Sequence, residues 1–135
     1  EGKFEEGAKE KGTYDKLLTL IRTHKPSKIF SHSINDTHTD HKATYRMVNK
    51  VLEKYRGKTE LYSFEIWTPF RYRQRHYPYY YVNISSYFSK KIKAISCFKS
   101  QWLALLSLMW TIYARAIFNG LACGKLYAER FTRIK

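Results

Sequence analysis

Residues 28–67 read KIFSHSINDTHTDHKATYRMVNKVLEKYRGKTELYSFEIW, and the changes of hydrophobic period along them decide the fold class. KIFSHS at 28–33 has the length and composition of a short strand. After the NDTHTD loop, Ala43, Met47, Val48, Val51, Leu52 and Tyr55 recur at helical spacing, which predicts a helix over 41–56 with Gly57 as its C-terminal stop. ELYSFEIW at 60–67 returns to a period of two, with Tyr62, Phe64 and Ile66 on one face, as in a half-buried strand. Strand, helix and strand within so short a stretch form a βαβ unit, so the two strands are expected to be parallel neighbours or near-neighbours with the helix across one face. The fold class is therefore layered α/β.

EGKFEEGAKEKG at 1–12 reads as a charged lead-in, and Thr13 is placed to cap a helix over Tyr14–His24 that Pro26 ends. Beyond the βαβ unit, TPFRYRQRHYPYYYV at 68–82 is an aromatic and basic connection with an extended piece at 79–82. Ser85 or Ser86 can cap a helix carrying Phe88, Ile92, Ile95 and Lys99. An apolar helix over 101–118 comes next, and GLACGKLYAERF closes the pattern as a tail. The 135 residues are expected to be one domain or the C-terminal part of one, and the Glu1-Gly2 start suggests a piece of something longer.

A net charge of +14 marks a chain suited to phosphate, anionic lipid or acidic partners, yet its basic residues are scattered and RYRQR and SKKIK are short. Cys97 and Cys123 lie in apolar helical sequence without metal-type spacing, which favours buried free thiols over a disulfide. With no signal peptide in view, the expected compartment is the cytoplasm. The run WLALLSLMWTIYA at 102–114 falls short of the roughly 20 residues that span a bilayer, so a buried or surface-lying helix is expected. Its aromatic residues leave peripheral membrane contact open.

The chemistry-bearing stretch is NDTHTDH at 35–41, placed after a strand and at the start of a helix, where open α/β sheets bind ligands. With Asp40 near the helix cap, His38 lies just outside the helix and His41 in its first turn, both facing one crevice. Neutral imidazole suits Zn2+, and a carboxylate beside it, Asp40 or Asp36, fixes the tautomer and raises its basicity. A three-histidine site of His32, His38 and His41 ranks lower, because strand residues alternate faces and His32 precedes the loop.

HTDH, succeeded in order by EIWTP, YVNIS, KKIKAI, Ser100-Gln101 and YAERF, resembles the PIG-L / LmbE-like deacetylases over residues 28–131. That resemblance implies a Rossmann-like fold and zinc-dependent removal of acetyl from an N-acetylglucosamine-type sugar or conjugate. It makes His41 the zinc ligand, His38 the group that stabilises the tetrahedral intermediate or protonates the leaving amine, and Asp40 the carboxylate that orients a histidine. Thr39 stands where the family usually has proline, and Asn83 where it often has aspartate. The family's H-P-D-D loop, which supplies two more ligands and the general base, has no counterpart in these residues. This chain is thus expected to be the C-terminal portion of a deacetylase, inactive alone.

Two other function classes compete. One is a nucleic-acid-binding module using the RYRQRHYPYYY stretch, disfavoured here. The other is a non-catalytic, membrane-associated scaffold built on the 101–118 helix.

Overall fold

The structure, a computed structural model, describes residues 11–65, 77–98 and 102–135. The expected lead-in at 1–10, the strand extension to Ile66 and Trp67, most of the 68–82 connection, and Lys99 to Gln101 lie outside the described residues. The elements are α1 (Lys11–His24), β1 (Lys28–Ser31), α2 (Thr39–Tyr55), β2 (Glu60–Phe64), β3 (Tyr79–Asn83), a 3-10 turn (Ser85–Tyr87), α3 (Phe88–Ser96), α4 (Trp102–Ala122) and β4 (Ala128–Arg133). The strands order β1-β2-β4-β3 in one sheet, and the fold is α/β. The chain divides into two compact units, the first comprising Glu1–Ile66, Gln74–Pro78 and Thr132–Lys135 and the second Trp67–Arg73 and Tyr79–Phe131.

In the first unit β1 and β2 pair in parallel, with Lys28 opposite Glu60, Phe30 opposite Tyr62 and Ser31 opposite Ser63. This is the βαβ arrangement the periodicity predicts, with α2 packed against β1. Leu18 and Ile21 of α1, Val48, Val51 and Leu52 of α2 and Leu61 of β2 form the core, in which Val51 and Leu61 are wholly buried. Tyr14, Leu17, Ile29, Tyr45, Tyr55 and Ile134 pack around them. Asp40 in the first turn of α2 and Lys54 in its last complement the helix dipole. At the chain's end, Ile134 N–H donates to the Leu61 carbonyl at 2.8 Å and Leu61 N–H to that of Lys135 at 3.0 Å. With neighbours on both edges, β2 buries Leu61, Tyr62 and Ser63 in succession, whereas the period-two reading expected a half-buried strand.

The helix ends differ from expectation for local reasons. α1 already includes Lys11, so Thr13 lies inside it and does not cap it. Its C-terminal turn closes through Lys25, whose N–H reaches the Ile21 carbonyl at 2.9 Å from a left-handed φ of 44°. At the end of α2 the left-handed residue is Arg56, φ 53°, and not Gly57. A Cβ at Gly57 would meet the Tyr55 ring, which would have to shift to admit it.

In the second unit Phe88, Ile95, Ile112, Ala116 and Ala128 are buried, with Phe88 stacked on Tyr127 at 4.0 Å and edge-on to Tyr113 at 5.0 Å. Neither serine caps α3. Ser85 Oγ instead donates to Asn83 Oδ1 at 2.7 Å and accepts the Tyr127 N–H at 3.1 Å, tying the exit of β3 to the approach of β4. The thiols are free but not buried: Cys97 is exposed at the C-cap of α3, and Cys123 is partly exposed just past α4.

α4 runs through Asn119 and Gly120, the residues expected to end it. Asn119 is buried, and Gly120 lets the next turn fold back, since a Cβ there would lie 2.5 Å from the Lys125 carbonyl oxygen and 2.6 Å from that of Leu126. The continuation corrects the expectation of a short apolar run. Leu105–Ala122 is long and apolar enough to cross a membrane by length and composition alone. Gly120→Ala tests the turn: alanine gains about 1 kcal/mol of helix propensity, yet overpacking against rigid backbone costs about 1–3 kcal/mol. The variant should lose stability on urea unfolding, while Gly12→Ala, with nothing among the described residues within 4 Å of the new Cβ, should gain it.

Candidate metal centre

β1 stops at Ser31, and the chain then turns. Asp36 N–H donates to the Ser33 carbonyl at 3.1 Å and Asn35 N–H to Ser33 Oγ at 3.2 Å, doubling the chain back toward α2. Asp36, only 5% exposed, then spends its two carboxylate oxygens separately. Oδ1 accepts the His38 N–H at 3.0 Å, and Oδ2 lies 3.0 Å from His41 Nδ1 and 4.0 Å from His32 Nδ1.

His38 is the N-cap residue of α2, with extended backbone (φ −78°, ψ 131°) and no side-chain capping bond. A purely capping role for its imidazole therefore finds no support. Asp40 and His41 fall in the first turn, as the sequence predicts, and the ring centroids of His38 and His41 are 5.0 Å apart. The carboxylate beside His41 is that of Asp36; Asp40 Oδ1 is buried without a hydrogen-bond partner among the described residues.

His32 enters this cluster, contrary to its expected separation. Because the strand ends one residue earlier, face alternation does not govern it, and its ring stacks on His41 at 3.8 Å and 8° with the edge of Phe64 4.7 Å away. Burial first, then the charge of a protonated His41, lower the His32 pKa against the opposing pull of Asp36. That favours the neutral ring, which keeps a lone pair for a cation or a proton donor.

His32, Asp36 and His41 each place a ligand-type atom within 4.8 Å of the others. Both histidine Nδ1 atoms are buried without a hydrogen-bond partner among the described residues, the 3.0 Å approach of Asp36 to His41 being electrostatic contact without hydrogen-bond alignment. Imidazole nitrogen and a carboxylate are donor types that suit zinc. The 8° stacking decides between two arrangements. Lone pairs lie in the ring planes, so parallel rings direct theirs side by side and do not converge on one ion. Asp36 at the Nδ1 edge of His41 instead suits a carboxylate holding the ring while Nε2 faces a metal.

No protein-family model matches the sequence. Solved structures share the fold. The conserved protein TT1542 from Thermus thermophilus superposes with a TM-score of 0.73 at 21% identity, over 93% of this chain and 59% of that one. A deacetylase of the teicoplanin biosynthesis pathway, in complex with bog, gives 0.71 at 16% identity over 89% and 50%. The zinc-inhibited form of the teicoplanin deacetylase Orf2 gives 0.72 at 14% over 97% and 51%. At such identities the likeness is one of fold, and the chain spans between half and three-fifths of those proteins' length.

Proposed function

We infer that this chain supplies part of the active site of a zinc-dependent hydrolase that removes acetyl from an N-acetylated sugar or glycoconjugate, as in the PIG-L / LmbE-like deacetylases. The observation that carries the reading is the buried Asp36 carboxylate set against His41 at the N-terminus of α2, with His38 beside it. The fold shared with two deacetylase structures supports it. The RYRQR part of the nucleic-acid reading lies outside the described residues.

In this reading His41 is the metal ligand contributed by the chain. Zinc, when bound, supplies Lewis acidity, polarising a carbonyl and acidifying water. Asp36 holds the His41 ring and favours the tautomer with Nε2 free, and His32 walls its other face. His38, exposed at the helix N-cap, is free to reach a substrate, where it stabilises the developing oxyanion or gives a proton to the departing amine. Asp40, in the first turn of α2, keeps a buried oxygen available to balance a positive imidazole. The remaining two ligands and the general base belong to an H-P-D-D segment that the 135 residues do not contain.

Titration with zinc of the metal-free enzyme that contains this chain tests the ligand assignment. Asp36→Asn should weaken zinc about 10–100-fold, the usual cost of removing a carboxylate behind a metal-binding histidine. Asp40→Asn should leave zinc affinity within a fewfold of the parent. Equal losses in the two variants, or none in the Asp36 variant, would contradict Asp36 as the positioning group.

A further inference from the structure

In the second unit, α4 packs against α3 and β3 and buries Thr111, Ile112, Ala116 and Asn119. Its opposite face carries Leu106, Trp110, Ile117 and Leu121 at 69, 61, 41 and 70% exposure, with Tyr113 at the margin. These positions recur every three or four residues, so they form one stripe along the outside of the helix. No charged side chain falls on that stripe; Arg115 is the only charge in α4 and sits half a helical turn away from Leu106. A continuous apolar face of this length is unusual on a surface bathed only by water.

The net charge of the unit points to the occupant. Glu129 is the sole acidic residue between Tyr79 and Phe131, and it is paired with Lys91. Lys90, Lys93 and Lys125 of the same unit are exposed. An apolar stripe containing Trp and Tyr, on a unit whose charge is almost wholly positive, complements an anionic bilayer surface: the stripe enters the acyl boundary while the unit's net positive charge attracts anionic lipid. The burial of Ile112 and Ala116 inside the unit keeps α4 lying on that surface, since a spanning helix would strip this packing away.

We propose that the exposed face of α4 docks this protein onto anionic membrane lipid. The inference is independent of the hydrolase reading, because it uses no residue of the His32, Asp36, His38, His41 cluster. Co-sedimentation of the chain with phosphatidylcholine–phosphatidylserine vesicles, against phosphatidylcholine alone, tests it. Binding should require the anionic lipid, fall as salt rises, and weaken about tenfold or more in Trp110→Glu and in Ile117→Glu, each removing a buried apolar side chain from the interface. Both sites are exposed, so circular dichroism should show the parental fold. Failure to bind, equal binding to phosphatidylcholine alone, or binding unaffected by both substitutions would overturn the proposal. So would self-association without lipid that the same substitutions abolish, which would make a second copy the occupant.

Discussion

In the enzyme that contains this chain, His41→Ala should abolish tight zinc binding and zinc-dependent activity together. The loss should exceed the about 10–100-fold expected for a carboxylate behind the ligand, because the ligating nitrogen itself is removed. His41 is about two-fifths exposed in the first turn of α2, outside the apolar core, so the variant should keep the fold. Metal content after dialysis, with circular dichroism as the fold control, measures the effect. Zinc retained at parental affinity would place the ligand elsewhere, with His32 the nearest alternative.

His38→Ala should separate metal binding from turnover. Its imidazole makes no capping bond and its backbone N–H, which the substitution keeps, makes the bond to Asp36. Zinc affinity should therefore stay near the parental value. Turnover should fall by roughly 2–4 kcal/mol of transition-state stabilisation, the range for one electrostatic or proton-donating group, with the loss in kcat and not in KM. Parental kcat in this variant would return His38 to a structural role at the start of the helix.

The parts of the fold legible in the sequence are those where burial follows a simple period. Val48, Val51 and Leu52 face one core at helical spacing, and β1 and β2 flank them, so the parallel pair follows from the order of elements. β4 is hidden because AERFTR places Glu129, Arg130 and Arg133 in a strand whose pairing comes from chain neighbours and not from its own alternation. The length of α4 is hidden because Asn119 and Gly120 signal a stop, while in the structure one is buried and the other admits the return of the backbone.

The site is legible in type more than in pairing. HTDH at the start of a helix places His38, Asp40 and His41 in one turn. Which carboxylate meets His41 depends on the Ser33 turn, a local backbone reversal that leaves no hydrophobic period. The same turn releases His32 from strand alternation and lets it stack on His41. An aspartate four residues after a histidine is the available signal, and it gains meaning only once the strand is known to end at Ser31.

Zinc-dependent deacetylation is measured as amine release from an N-acetylglucosamine conjugate, using the enzyme that contains this chain, stripped by chelator and reloaded with stoichiometric zinc. Release should vanish on stripping, return with zinc, and not return in His41→Ala. Release that persists after complete removal of metal, or that zinc restores fully in His41→Ala, would contradict it.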